Sequence, residues 1–272
     1  MGRPRAVVTG ATGAIGGATA QALIHLGWDV VLPARRRRAA EEFAQHLRSQ
    51  VPAAKVETVE MDLSSMASVR ATAPTLAKGP IDALVNIAAV YRPKRELTAD
   101  GYERMFATNH LGPFLLTNLL MPHMKGGVIA TVTAPSGVLP KWDDLQGEGK
   151  FSSLRTFGAT KCCNLLFVGE LSRRVPEGVQ AFAFHPGLVK SELTRGMFPP
   201  LRLLANAFSA KPEKAGRALA ALVALPPPGS HGRFYHLAKP IAMPKPTLDQ
   251  GAQGKLWTVS ERLAHIEAPR KG

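Results

Sequence analysis

Residues 9–16 read Thr9-Gly10-Ala11-Thr12-Gly13-Ala14-Ile15-Gly16, with three glycines in eight positions. The apolar run Ala6-Val7-Val8 precedes them, and apolar residues three or four positions apart follow them as far as Gly27. This order predicts a strand, a tight turn and an amphipathic helix. Glycines let backbone amides approach a phosphate closely, and a helix N-terminus offers unpaired N–H groups and a partial positive charge. The pattern predicts a dinucleotide site, with an ordinary tight turn as the simpler alternative.

The same alternation of strands and helices continues along the whole chain. We expect seven strands, at residues 6–9, 29–32, 55–60, 81–86, 127–133, 179–184 and 233–236. Helical periods separate these strands, and Asp62 or Ser64 can cap the third helix. Strands that alternate with helices predict right-handed βαβ units. The expected fold is therefore an α/β, doubly wound domain of Rossmann type with a mostly parallel sheet, and residues 1–272 are expected to form one domain.

The end of the second strand predicts which dinucleotide binds. It reads Leu32-Pro33-Ala34-Arg35, and three further arginines follow. NAD-binding proteins usually carry an acidic residue here for the ribose 2′-hydroxyl, whereas a guanidinium accommodates a 2′-phosphate through two parallel hydrogen bonds. Arg35 and Arg36 therefore predict NADP(H), while Arg38 is more simply explained as a solvated residue at the start of a helix.

Composition and charge bear on whether the protein binds nucleic acid, binds a metal or spans a membrane. The net charge is +14 and the sequence pI is about 10.2, but the basic residues are dispersed and only 6% of residues are aromatic. A basic surface that attracts an anionic cofactor is therefore favoured over nucleic-acid binding. Cys162 and Cys163 are adjacent, so we expect reduced thiols in a cytoplasmic protein and no metal site. No signal peptide and no apolar run of about 18 residues is found, so no membrane span is expected.

Further segments resemble the short-chain dehydrogenase/reductase superfamily, and within it the retinol-dehydrogenase-like branch. The resemblance covers about residues 5–265. Its most specific segments are Asp62-Leu63-Ser64-Ser65, Leu84-Val85-Asn86-Ile87-Ala88-Ala89, Asn109-His110-Leu111-Gly112, Lys161-Cys162-Cys163-Asn164, His185-Pro186-Gly187-Leu188-Val189-Lys190-Ser191 and Leu256-Trp257-Thr258. One departure is that Ala14 holds the second glycine position of the branch, although Gly13 restores the spacing of other subfamilies.

The resemblance implies roles for the residues of these segments. Asp62 would contact the adenine, and Asn86 would lie beside the adenosine ribose. A helix cap and a strand-end turn residue are the simpler alternatives for these two. Pro186, Gly187 and Ser191 would bracket the nicotinamide. The remaining residues of the implied cofactor site are Leu63, Ala88 and Val189.

The resemblance also implies a catalytic tetrad of Asn, Ser, Tyr and Lys, and two of its members are replaced. In this family a tyrosine four residues before a lysine exchanges a proton with the substrate oxygen, and the lysine lowers its pKa and holds the nicotinamide ribose. Here the pair reads Phe157-Gly158-Ala159-Thr160-Lys161. Ala134 takes the place of the serine, although Ser136 could replace it if the loop shifts. Asn109 is retained.

Loss of a placed general acid costs about 10²–10⁴ in rate, so ordinary ketone reduction should be slow. Three explanations remain open. In the first, the reaction needs no strong acid, as in hydride addition to an iminium or a conjugated alkene. Alternatively, the fold binds NADP(H) without redox chemistry and serves isomerisation, cyclisation or regulation. Finally, two hydroxyl deletions are what an experimenter would choose to trap a complex. The favoured function is an NADPH-dependent oxidoreductase acting on an apolar carbonyl, imine or enone.

Other residues could supply chemistry or shape the site. Tyr91, Lys141, Trp142 and His185 lie where substrate-facing loops are expected, although a surface or packing role is simpler for each. The apolar residues of 193–208 correspond to the family's variable lid and suggest an apolar substrate. Family members often form dimers or tetramers through helices equivalent to residues 109–123 and 161–174, so a homodimer or homotetramer is expected.

Overall fold

A computed structural model of the protein describes residues 2–189 and 211–266. An eight-stranded sheet lies at its centre, in the order β3-β2-β1-β4-β5-β6-β7-β8. The strands are β1 (Arg5–Val8), β2 (Asp29–Ala34), β3 (Val56–Glu60), β4 (Ala83–Asn86), β5 (Gly127–Val132), β6 (Val179–His185), β7 (Phe234–His236) and β8 (Lys239–Ile241). Neighbouring strands are parallel except β7 and β8. All seven predicted strands are confirmed, and the antiparallel β8 is the addition.

Helices cover both faces of this sheet, as the doubly wound prediction requires. They are α1 (Ala14–His25), α2 (Arg37–Gln50), α3 (Met66–Leu76), α4 (Arg104–Phe106), α5 (Gly112–Leu120), α6 (Ser153–Leu171), α7 (Pro212–Ala224) and α8 (Gln250–Leu263). The apolar residues of α1, α2 and α7 pack on one face, and those of α3, α5, α6 and α8 pack on the other. Nowhere in residues 2–189 and 211–266 does a helix have both the length and the apolar content that a bilayer span needs.

Two local predictions can be compared with the structure. The cap of α3 is Ser65, whose Oγ accepts the N–H of Ser68, so the assignment to Asp62 or Ser64 was wrong. Asp62 Oδ1 instead accepts both the N–H and the hydroxyl of Ser64, each at 2.8 Å, which shapes the turn before the helix. Cys162 and Cys163 are free and buried, and burial raises the pKa of the Cys162 thiol to about 11. Such thiols are poor nucleophiles.

A π-helical turn, Ala107–Leu111, joins α4 to α5 and buries His110 among Phe106, Phe114 and Phe167. Burial lowers the pKa of His110 to about 4, whereas the unfolded chain binds this proton near its ordinary value of 6.5. The folded state therefore binds fewer protons in this window. We expect about 3 kcal/mol of unfolding free energy to be lost as the pH falls from 6.5 towards 4.

Denaturant unfolding of His110→Gln and of the unsubstituted protein from pH 7.5 to 4.5 measures this effect. The variant should lose less stability per pH unit, whatever its absolute stability. Parallel pH dependences for the two proteins would contradict the assignment.

Candidate active site

A cavity of about 480 Å³ lies at the carboxyl ends of the central strands. Its walls come from the turn after β1, the ends of β2, β5 and β6, and the segment after β4. The strand order reverses between β1 and β4, because β2 follows β1 on one side and β4 lies on the other. Ligands of open α/β sheets bind at such a switch point. The cavity therefore occupies the place where the sequence predicts a dinucleotide.

The glycine-rich turn forms one wall of this cavity. Gly10 has φ +70°, and a Cβ there would lie 2.9 Å from Ala88 Cα; a Cβ on Gly16 would lie 2.2 Å from the Gly10 carbonyl oxygen. The turn and the segment after β4 thus touch only because side chains are absent. As predicted, the wall includes Gly10, Thr12, Gly13, Ala14, Ile15 and Gly16. Thr9 lies beneath it, where its Oγ1 accepts the N–H groups of Ile87 and Ala88.

The arginine run divides into two pairs. Arg35 and Arg36 are exposed and line the cavity at the end of β2. Arg37 begins α2, and Arg38 lies 2.9 Å from Glu42 in an exposed ion pair. The solvated role of Arg38 is therefore confirmed. Other predicted cofactor residues that line the cavity are Asp62, Leu63, Ala88, Pro186, Gly187 and Val189.

Lys161 and Phe157 lie one turn apart on α6 and both line the cavity. The Lys161 ammonium is 5.2 Å from the centroid of the Phe157 ring, and Ala134 lies on the same cavity wall. Burial lowers the pKa of Lys161 to about 8, because removal of water disfavours the charged form. The Thr133 hydroxyl donates to the Lys161 carbonyl at 2.8 Å, so the hydroxyl proton points to the backbone of α6 and not into the cavity.

Asn109 lies behind the cavity wall rather than on it. Its Oδ1 accepts the Val90 N–H at 2.7 Å, and its Nδ2 donates to the Val90 carbonyl and to Thr160 Oγ1. The side chain therefore ties the segment after β4 to α6, one residue before Lys161. The π-helical turn that carries Asn109 is a feature often found at functional sites.

Besides Thr9 and Asn109, two more predicted residues are absent from the wall, and a third lies outside the described residues. Asn86 is buried, and its Nδ2 donates to Thr117 Oγ1 of α5, so its side chain turns away from the cavity. Ser136 Oγ accepts the Val138 N–H and is not a lining residue, so replacement of the family serine by Ser136 finds no support in the geometry. Ser191 and residues 193–208 lie outside the described residues.

Of the four other candidate residues named from the sequence, one lines the main cavity. Tyr91 is buried, donates to Ser153 Oγ at 2.8 Å and packs edge-on against Phe157. Lys141 lines a smaller cavity, and Trp142 stacks under the Lys255 ammonium. His185 does line the main cavity; burial first and His236 second lower its pKa. Its Nδ1 is buried with no partner among the described residues.

Sequence reasoning missed part of the wall, most notably Arg92, Arg104 and Thr108. Thr108 directly precedes the predicted Asn109, but adjacent residues of a helical turn lie on different faces, so the prediction of Asn109 does not extend to it. The two arginines are brought together by a bridge between Leu97 and Glu103. That short pairing has no strand-like pattern from which it could be recognised.

Comparison with known proteins identifies the family. The family model described as short chain dehydrogenase matches residues 4–201. The chain belongs to the short-chain dehydrogenase family. This short-chain dehydrogenase is 32% identical to retinol dehydrogenase 14 of Mus musculus, over 96% of the chain and 85% of that relative. The resemblance to the retinol-dehydrogenase-like branch is thereby supported.

Solved structures show the same fold. A crystal structure of an uncharacterised protein from Mycobacterium Paratuberculosis has a TM-score of 0.81 and 29% identity, covering 98% of this chain and 96% of that one. L-sorbose reductase from Gluconobacter frateurii, solved with NADPH and L-sorbose, has a TM-score of 0.69 over 86% of this chain and 95% of its own. At 22% identity the second likeness concerns the fold alone.

Proposed function

We propose that this short-chain dehydrogenase is an NADP(H)-dependent oxidoreductase that moves hydride between the nicotinamide and an apolar carbonyl, imine or enone carbon. One observation carries the proposal: the glycine-rich turn, the pair Arg35 and Arg36, and Lys161 all line the same cavity. These are the donors that a phosphorylated dinucleotide needs, and the close approach at Gly10 leaves backbone rather than side chains facing it.

The residues of the cavity suit successive parts of the cofactor. Amides at the start of α1 would hold the pyrophosphate, and Arg35 and Arg36 would hold the 2′-phosphate. Asp62 would lie at the adenine end. Lys161 and the segment after β6 would hold the nicotinamide end. When bound, the cofactor would supply the hydride, and these residues would hold it in position.

The missing hydroxyls restrict which substrate suits this site. Neither Phe157 nor Ala134 can donate a proton, and the Thr133 proton is directed to a carbonyl of α6. An iminium carbon already carries the positive charge that hydride addition neutralises, and a conjugated alkene spreads the developing charge. The Lys161 ammonium lies beside Phe157, where it can stabilise the negative charge that hydride addition places on an enone oxygen, whereas an iminium needs no such group. We therefore favour an iminium or enone over an unactivated ketone.

A second candidate function rests on the same two residues. A wall of Phe157 and Ala134 also suits a member of the family that binds NADP(H) without redox chemistry. Mixing the protein with NADPH and a panel of ketones, cyclic imines and enones, while following absorbance of the reduced nicotinamide, separates the two. Turnover with an imine or enone supports the oxidoreductase. Tight NADPH binding with no oxidation throughout the panel supports the non-redox function.

The pH dependence of cofactor affinity tests the role of Lys161. Because burial lowers its pKa to about 8, its ammonium loses its charge as the pH rises above that value. We expect NADP⁺ affinity to fall about fivefold through this range, the difference between a charge-assisted and a neutral hydrogen bond. Calorimetric titration from pH 7 to 9.5 measures it. Lys161→Met should flatten the profile, and an identical decline in that variant would assign the effect to another group.

A further inference from the structure

Arg92 and Arg104 form a basic pair on the cavity wall that the cofactor assignment does not use. Both guanidiniums contact the same oxygen, because Arg92 Nε lies 3.3 Å and Arg104 Nε 2.9 Å from Glu96 Oε2. One carboxylate therefore neutralises only one of the two positive charges. The arginine side chains are 31% and 25% exposed, so water screens the remaining charge only in part.

Within the described part of the chain, each guanidinium also has a terminal nitrogen that is free to donate hydrogen bonds. Arg92 Nη1 donates to the Tyr91 carbonyl, and Arg104 Nη2 donates to the Leu97 carbonyl. Among residues 2–189 and 211–266, the remaining terminal nitrogens, Arg92 Nη2 and Arg104 Nη1, donate to no hydrogen-bond acceptor. A guanidinium has five N–H donors in a planar fork, and two such groups side by side match the geometry of a carboxylate.

Arg92, one member of the pair, directly follows a residue that contacts Phe157. Tyr91, next to Arg92, packs on Phe157 with ring centroids 5.6 Å apart and donates to Ser153 at the start of α6. Arg95 Nε donates to the Gln146 carbonyl in the loop that precedes α6. Residues 91–95 therefore run beside the helix that carries Lys161, whereas the predicted 2′-phosphate site lies at the end of β2.

Nearby acidic groups do not cancel the charge. Asp62 is the one acidic residue among those described on the cavity wall, and its Oδ1 is engaged by Ser64. Glu103 is fully buried, and its Oε2 accepts the Phe106 N–H; burial raises its pKa. Among the described residues, Glu96 is the one carboxylate in an ion pair with Arg92 or Arg104, so the pair has one more positive charge than paired carboxylates. This excess charge matches a singly charged carboxylate better than a phosphate group, which carries about −1.5 to −2.

We propose that Arg92 and Arg104 bind a carboxylate of the substrate, so that the substrate combines an apolar reacting part with an acidic end. The proposal rests on the oxidoreductase function and deepens it. It also changes the expectation of a wholly apolar substrate, because two arginines line the cavity together with Phe157.

Matched pairs of probes test this proposal by calorimetry on the NADP⁺-saturated protein. The probes are para-acetylbenzoate, meta-acetylbenzoate and levulinate, each with its methyl ester. At least one carboxylate should bind about tenfold or more tightly than its ester, the contribution of a charge-assisted hydrogen bond. The variant R92Q/R104Q should abolish this preference and leave the Kd for NADP⁺ unchanged. The control R95Q removes a charge of the same segment outside the cavity and should keep the preference.

Three results would overturn the proposal. The first is that no carboxylate binds more tightly than its ester, and the second is that the preference survives in R92Q/R104Q. In the third, R92Q/R104Q weakens NADP⁺ binding tenfold, which would assign the pair to the cofactor. Titration with NADP⁺ precedes the probes, so failure of the proposed function is seen separately as absence of cofactor binding. In that case the ester comparison is made on the protein alone and judged by the same criteria.

Discussion

The double variant Phe157→Tyr, Ala134→Ser is expected to reduce ketones about 10²–10⁴-fold faster than the unsubstituted protein, because a placed general acid contributes about that factor. The Phe157 ring already lies 5.2 Å from the Lys161 ammonium, one helical turn away. A phenol at this position would be next to a cation that favours its ionised form and lowers its pKa. Phe157 is half-buried and borders the cavity, so the added hydroxyl has space.

The kcat for a panel of aryl and alkyl ketones with NADPH measures this gain. The matched control carries the same two substitutions together with Lys161→Met, and it should gain little because the phenol then lacks its cation. A gain of equal size without Lys161 would contradict the proposed role of the lysine. No gain with Lys161 present would show that the cavity is shaped for chemistry other than ketone reduction, and the NADPH oxidation panel would then separate imine or enone reduction from the non-redox function.

Arg35→Gln, Arg36→Gln should weaken NADPH binding about 100-fold and leave NADH binding within about twofold. Two guanidiniums at the end of β2 are lost, and charge-assisted hydrogen bonds contribute about 1.5–3 kcal/mol each, with part of that retained by solvation of the exposed site. NADH has no 2′-phosphate, so it gains nothing from these side chains. Calorimetric Kd values for the two reduced cofactors report the difference directly.

Arg38→Gln is the matched control for this pair. It removes one guanidinium of the same arginine run, where the double variant removes two, from a side chain that is 95% exposed and paired with Glu42 rather than facing the cavity. Its affinity for NADPH should stay near that of the unsubstituted protein. Equal losses in Arg38→Gln and in the double variant would mean that general surface charge, not contact at Arg35 and Arg36, attracts the cofactor.

Features that follow from a local sequence pattern could be predicted, whereas features that depend on contacts between distant residues could not. The turn at Gly10 and Gly16 could be predicted because its glycines directly follow an apolar strand, and both are needed for the close approach observed. Strand β8 could not, because three residues containing Pro240 carry no alternating pattern, and their pairing with β7 is antiparallel at the edge of the sheet.

Side-chain direction was the least predictable property of the site. Asn86 ends a strand at the cavity, but Thr117 of a distant helix draws its amide away from the wall. Arg92 and Arg104 are twelve positions apart, and they meet at Glu96 because the Leu97–Glu103 bridge folds the chain back on itself. Neither arrangement has a local sequence signal, since each depends on how separate elements pack.

The central claim is that a phosphorylated dinucleotide binds against the amides of the first turn, with its extra phosphate at Arg35 and Arg36. Calorimetric titration of the unsubstituted protein with NADPH and with NADH tests it most directly. The account predicts saturable binding of NADPH that is at least about tenfold tighter than that of NADH. Equal affinities, or no heat from either cofactor, would contradict it.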